Sequence, residues 1–253
     1  MIPVSVVIIT KNEAHIIGET IQSVSSFTDD IIIVDSGSTD ETQQMVHSCG
    51  ATLIETNWEG FGPNKNKGID KARYDWILSI DADEQPDSEL IKAMYKINFS
   101  LAEIVYNINF KTFLGKKLIR YGEWGKDLHI RLFNKTKIRW NDAVVHEQLI
   151  IPASFKVQTL PGYILHYTMK DIAEYATKMT KYALLSADRY YKELKKAGWV
   201  KRNVSPRFAF VNNYFFKLGF LDGKEGYLIA KMTMFYTYIK YMRLFELHQT
   251  KQK

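Results

Sequence analysis

Residues Trp76 to Glu84, Trp-Ile-Leu-Ser-Ile-Asp-Ala-Asp-Glu, constrain this chain more than any other stretch. An apolar run containing the β-branched Ile77 and Ile80 reads as a buried strand. It ends in three carboxylates within four positions, Asp81, Asp83 and Glu84. Carboxylates crowded at the end of a buried strand lose hydration and repel one another, and a cation is the usual offset. Oxygen ligands with no neighbouring Cys favour Mg²⁺ or Mn²⁺ over zinc. The crevice beyond the strand C-termini of an open α/β sheet is also where ligands bind. An Asp-x-Asp on its own is more readily a solvated acidic turn capping a helix that begins near Pro86, so the other strands decide.

Val4–Thr10 is a continuous Val- and Ile-rich run, the pattern of a parallel strand buried on both faces. After Lys11-Asn12-Glu13, the residues Ile16, Ile17, Ile21 and Val24 fall at helical spacing. A second apolar strand, Ile31–Val34, runs into Asp35-Ser-Gly-Ser-Thr-Asp40, where Ser38-x-x-Glu41 predicts a capping box for a helix toward Ser48. A short strand at 51–55 and a helix over 65–72 precede the strand into Asp81. Strands and helices alternating at this spacing predict βαβ units: an α/β fold with a mostly parallel sheet flanked by helices. Strands one, two and four end in polar residues that share one sheet edge, the geometry of a nucleotide crevice. No Gly-x-Gly-x-x-Gly or Gly-Lys-Ser/Thr loop is present, so phosphates must be held by a cation and basic side chains.

At 253 residues, 46% hydrophobic and 25% charged, the chain can bury a sizeable core. One cysteine, Cys49, excludes a disulfide framework and a cysteine-based metal site. The first residues show no basic leader, and their apolar run is too short to span a bilayer, so the expectation is a cytoplasmic protein. Residues 181–253 carry a net +10 against +6 for the whole chain, so the first 180 carry −4. An acidic body with a basic, aromatic end predicts a catalytic domain over 1–170 and a helical extension over 171–253 that meets an anionic surface, phospholipid or phosphorylated glycan. Nucleic acid is not expected as the partner, because no zinc-finger, helix-turn-helix or RNA-binding signature accompanies the basic residues.

Four segments in order, Ser5–Glu13, Ile33–Asp40, Lys65–Ile69 and Trp76–Glu84, resemble the family 2 glycosyltransferases of GT-A fold, and within them the bacterial lipopolysaccharide-core β-glucosyltransferase branch. The likeness covers residues 3–170, and the tail more loosely through Gly219–Gly223. It implies that Thr10, Asn12 and Glu13 line the base and ribose pocket and that Asp35 accepts from the nucleobase, which suits the N3–H of uracil. It implies that Lys65 faces the nucleotide, with Lys67 the alternative and a solvated helix charge the duller role for either. Asp81 then approaches the ribose or metal shell, Asp83 binds the Mg²⁺ or Mn²⁺ bridging the diphosphate, and Glu84 lies behind them. His166, closing a strand at Tyr163–Tyr167, resembles the late His that completes the metal or diphosphate shell.

The acceptor half reads as strands over 103–111 and 116–120, then a hairpin of 129–133 with 137–140 around Asn134-Lys-Thr. The Val-His-Glu ending at Glu147 resembles the segment that supplies the family's general base, with Asp142 second. His146 is either a core histidine or a substrate contact. Trp124 is either a sugar-stacking platform or a core Trp. Arg131 alternates with apolar neighbours and either reaches a phosphate or faces solvent. Helices follow: one through Ile172–Leu194, a segment Phe208–Phe216 opened by Pro206, and a last one over Tyr227–Leu247. The aromatics and cations of that last helix suit an interfacial helix, a face packed on the catalytic domain, or a homo-oligomer surface.

The resulting expectation is an inverting, metal-dependent hexosyltransferase moving glucose from a UDP-sugar donor to a lipopolysaccharide-core or other lipid-linked glycan acceptor, peripheral at the cytoplasmic face of the inner membrane. Two alternatives stand beside it. A sugar-phosphate nucleotidyltransferase would need a Gly-rich first loop, which Thr10-Lys-Asn-Glu lacks. A non-catalytic nucleotide-sugar-binding protein would have no use for Glu147.

Overall fold

Strands buried on both faces dominate the first half of the chain. A computed structural model describes residues 1–125, 127–143, 147–169 and 171–250. In it β1 (Val4–Thr10), β2 (Ile31–Asp35), β3 (Thr52–Glu55) and β4 (Trp76–Asp81) pair in parallel in the order β3-β2-β1-β4. Because successive side chains point to opposite faces, each run feeds two cores. Val4, Val6 and Ile8 join Leu78 and Ile80 under α1 (Ile17–Ser25). Val7 and Ile9 join Val34 and Ile77 against Ile69 of α3 (Phe61–Lys71). This double burial explains why the runs read as uniformly apolar.

Between β2 and β3 lies α2 (Thr42–Ser48). After β4, a tight turn leads into β5 (Glu84–Pro86) and α4 (Ser88–Met94), whose N-cap Asp87 accepts from Leu90 N at 2.8 Å. The sheet continues with β6 (Ile104–Leu114), β7 (Lys117–Ile119), β8 (Leu128–Asn134) and β11 (Lys156–Met169), while β9 (Arg139–Trp140) and β10 (Leu149–Ile150) form a separate pair. Strand β8 lies antiparallel between β4 and β6. The expected hairpin of 129–133 with 137–140 is therefore corrected: Asn134 turns the chain, but both neighbours of β8 come from far away in sequence.

The chain divides into two compact units, 1–110 with 127–166, and 111–126 with 167–253. The second unit contains α5 (Ile172–Lys192), α6 (Trp199–Val211) and α7 (Gly223–Thr250), with a π turn over Asn212–Phe216 and a 3₁₀ turn over Gly219–Asp222. Its core joins Leu114, Ile119, Met169, Tyr175, Ile229 and Met232. Pro206 sits inside α6 rather than opening a segment, and α7 begins at Gly223 rather than Tyr227. Part of the mixture of aromatics and cations along α7 is taken up within the unit, where Lys240 Nζ lies 4.9–5.2 Å from the rings of Tyr190, Tyr236 and Tyr241, while Tyr227, Phe235 and Tyr238 stay exposed. No described helix is long and apolar enough to cross a membrane.

Candidate active site

The turn after β4 is fixed before any ligand arrives. The carbonyl of Ala82 accepts from the buried Thr20 hydroxyl of α1 at 2.7 Å, and Glu84 Oε2 accepts from Asp81 N at 3.0 Å. The chain then reverses, so β5 runs antiparallel to β11 with His166 opposite Glu84. That register sets His166 Nε2 3.3 Å from Asp83 Oδ2, although 82 residues lie between them in sequence. Burial lowers the imidazole's proton affinity, but the Asp83 hydrogen bond, with Glu84 and Asp81 nearby, raises it above the ordinary value.

Two buried cations face Asp81. Lys65 Nζ, 1% exposed as a residue, lies 3.3 Å from Asp81 Oδ1, 2.8 Å from Glu147 Oε1 and 4.7 Å from the centre of the Trp140 ring. Arg131 bonds Glu84 Oε1 at 2.6 Å and approaches Asp81 Oδ2 at 3.6 Å. Burial pushes the Asp81 carboxyl up, yet Lys65 and Arg131 together hold it far below the usual carboxylate range. Burial pushes Glu84 up against the pull of Arg131. An ammonium this deeply buried is tolerable only because two carboxylates pair with it.

Helix α3 places Lys65. A Cβ on Gly62 would stand 1.9 Å from Asn141 O, and one on Gly68 would stand 2.5 Å from Val7 Cγ1, so glycine at both positions lets the helix touch Asn141 and Glu147 on one side and the sheet on the other. Asn66 clamps the end of β9 just before Asn141, donating to Trp140 O at 2.9 Å and accepting from Trp140 N at 3.1 Å. Glu147 therefore reaches Lys65 from a segment tied to α3. Asp142, the second candidate base, is exposed. Lys67 points away, pairing with Glu59 at 2.8 Å.

At the neighbouring strand ends, Asp35 is fully buried and accepts from Ser38 N at 3.0 Å, from the Ser38 hydroxyl and from Gln43 Nε2 at 2.8 Å. The capping box is corrected here: Ser38 turns back to Asp35, and Asp40 takes the start of α2 by accepting from Thr42 N at 3.1 Å. Asn12, at φ +58°, ties the first loop to the second through Ser38 Oγ (2.8 Å) and Thr39 N (2.7 Å). Glu13 N donates to Thr42 Oγ1 at 2.9 Å. Thr10 Oγ1 and Arg131 Nε are among the buried polar atoms of the described residues that have no hydrogen-bond partner. Natural proteins satisfy such atoms unless a ligand or water does so.

The donor set suits a hard divalent cation. Asp83 Oδ2 and His166 Nε2 are separated by roughly the 3 Å expected between adjacent ligands of an octahedral ion with bonds of about 2.1 Å. Among the described residues no three His, Cys, Asp or Glu side chains converge as a complete cage. A Mg²⁺-like ion held by Asp83 and His166 would have to complete its shell with phosphate and water.

The apolar strand ends, the acidic turn and Lys65 all fall within a stretch that matches a family model, Glycosyl transferase family 2, over residues 5–155. The chain belongs to that family. This glycosyltransferase is similar over its length to the lipopolysaccharide core biosynthesis glycosyltransferase LpsC of Rhizobium meliloti (strain 1021), at 27% identity over 262 residues covering 100% of this chain and 95% of that one. It is similar also to an uncharacterized glycosyltransferase of Rickettsia felis, at 27% identity over 264 residues, 98% and 90% covered. Among solved structures it is similar to glucosyl-3-phosphoglycerate synthase of Mycobacterium tuberculosis, in complex with Mn²⁺, uridine diphosphate and glucosyl-3-phosphoglycerate, at 24% identity and a TM-score of 0.35. Coverage there is 45% of this chain and 44% of that one, so the chain spans less than half of that structure.

Of the residues singled out in the sequence, Lys65, Asp81, Asp83, Arg131, Glu147 and His166 form two linked clusters in the first unit of the glycosyltransferase, and Thr10, Asn12, Glu13 and Asp35 occupy the ends of β1 and β2. Trp124 belongs to the second unit, its ring 5.2 Å from that of Tyr175. His146 lies outside the described residues. Sequence reasoning missed Thr20 and Gln43, polar residues inside helical patterns with no motif to mark them, and gave no role to Asn66 although it lies in the Lys65–Ile69 segment.

Proposed function

We propose that this glycosyltransferase is an inverting, divalent-cation-dependent enzyme that moves a hexose, glucose first among the candidates, from a UDP-sugar to a hydroxyl of a lipopolysaccharide-core or other lipid-linked glycan. The observation that carries the reading is the bridge Glu147–Lys65–Asp81, at 2.8 and 3.3 Å, which joins a carboxylate suited to deprotonating an acceptor to the carboxylates at the end of β4. Asp83 and His166 would hold Mg²⁺ or Mn²⁺, which when bound neutralises charge on the departing diphosphate. Thr10, Glu13 and Asp35 serve the nucleoside, with the uracil N3–H taking the place of the Ser38 hydroxyl on Asp35. Lys65 keeps Asp81 ionised and holds Glu147 in place. Arg131 fixes Glu84 and so the turn that carries Asp83. Glu147 removes the acceptor hydroxyl's proton as the sugar carbon is attacked on the face opposite the diphosphate. The full-length similarity to LpsC, a lipopolysaccharide core biosynthesis glycosyltransferase, supports a glycolipid acceptor and with it work at a membrane surface.

Calorimetric titration with UDP-glucose, UDP-galactose, UDP-N-acetylglucosamine and GDP-mannose, each with Mn²⁺ and with EDTA, tests the donor half. One UDP-sugar is expected to bind, and only with metal. Binding of GDP-mannose alone, or of a UDP-sugar equally well in EDTA, contradicts the assignment.

A further inference from the structure

The segment 194–221 holds Lys195, Lys196, Lys201, Arg202, Arg207 and Lys217 and no Asp or Glu. Within it, Val200, Val204, Phe208 and Val211 recur at intervals of three and four along one face of α6, and all are exposed, Phe208 at 60%. The opposite face of α6 is the packed one: Arg202 stacks 3.7 Å from the Phe245 ring of α7, and the Phe210 ring lies 5.8 Å from that of Tyr227. The exposed stripe therefore lies away from the helix's own packing. It begins beside Trp199, 65% exposed, and continues into Phe215 and Phe216, the latter 71% exposed, and then Phe220 and Leu221.

This apolar tip is held out by buried polar anchors. Asn213, 2% exposed, accepts from Glu123 N at 3.2 Å and donates to Thr233 Oγ1 at 3.0 Å. Asp222 accepts from the N–H groups of Arg120 and Tyr121 at 3.0 and 2.8 Å, and Lys217 O accepts from Gly122 N at 2.8 Å. Between them Leu218 takes φ +59°, a left-handed conformation that disfavours a bulky side chain and persists only where its surroundings enforce it. A fold that fixes aromatic rings in water with this much hydrogen bonding is presenting a surface.

We propose that α6 and the two turns after it form a docking surface for an anionic phospholipid bilayer. The helix lies in the membrane plane with its stripe and the Phe215–Phe216 tip among the upper acyl chains, and Lys201, Arg207 and Lys217 at the phosphates. Cations flanking the apolar stripe, with no acidic residue in the segment, make the charge complement of such a bilayer. The proposal deepens the reading of a lipid-linked acceptor and rests on it for its place in the reaction. It also moves the interface from the last helix, where the sequence suggested it, to the one before.

The test is co-sedimentation of the full chain, without donor or acceptor, with phosphatidylcholine vesicles and with vesicles containing about one-third phosphatidylglycerol. The native chain is expected to pellet with the anionic vesicles and to be released by high salt. Phe208→Ser with Phe216→Ser should lower the partition coefficient about tenfold or more. Lys201→Gln with Arg207→Gln and Lys217→Gln should remove the preference for anionic lipid. All these positions are surface side chains outside the catalytic machinery, so donor binding measured without vesicles should be unchanged. Absence of donor binding by the native chain would count against the transferase reading and leave the lipid result standing. No binding to either vesicle, binding insensitive to both variants, or equal binding to neutral vesicles overturns the proposal. So does a dimer in sedimentation velocity that the Phe208/Phe216 variant dissolves, since the face then belongs to a second copy.

Discussion

Lys65 is the residue on which the site's electrostatics turn. Its ammonium is nearly sealed from water and is shared by Asp81 and Glu147, so removing it strands two carboxylates close together. Lys65→Met keeps much of the volume and deletes the charge. It is expected to cost about 3–5 kcal/mol of stability in chemical denaturation, the range for breaking a buried pair from one side, and unchanged stability would contradict the pairing. His166 gives the pH dependence. Its proton affinity in the folded chain is raised, so the protonated Asp83–His166 pair contributes stability that is fully present below the ordinary imidazole value and is lost as pH rises through the folded value. A metal needs the neutral ring, so Mn²⁺ affinity should increase as pH rises from the ordinary imidazole value through the raised folded one. In His166→Gln the increase should flatten; an identical pH dependence in the variant would remove His166 from the metal's surroundings.

Helix α3 does three jobs within a few residues: Lys65 enters the charge network, Asn66 clamps Trp140, and the two glycines admit close neighbours. Gly62→Ala puts a methyl group 1.9 Å from Asn141 O and must displace the segment that carries Glu147. Sugar transfer is then expected to fall with donor affinity retained, whereas native transfer would show that the segment's position does not matter. The motif that carries Lys65 was readable because its residues are contiguous; its partners were not, because Glu147 is 82 positions away and only family likeness pointed to it. Strands β1, β2 and β4 were readable because burial on both faces leaves a purely apolar run. The placement of β8 was not, since a local turn at Asn134 looks like a hairpin whether or not its arms pair. The start of α6 was hidden too: Gly198 provides no capping side chain, and Pro206 sits inside the helix where the sequence pattern implied a beginning.

The acidic first part and the basic end of the chain belong largely to different compact units. The first unit contains the carboxylates, Lys65 and the strand ends of a family 2 glycosyltransferase; the second contains the helices with exposed aromatic and basic side chains. The segment 111–126 groups with the helical end although it interrupts the first unit in sequence, because Leu114 and Ile119 complete the core around Tyr175. Contacts of that kind leave no periodic trace. In the proposed mechanism Glu147 acts on the acceptor while other residues hold the donor. Its most direct test measures UDP-sugar affinity and sugar transfer side by side for the native enzyme and Glu147→Gln. The donor dissociation constant is predicted to stay within about twofold while transfer falls about 10²-fold or more; a variant that transfers at the native rate would contradict that role.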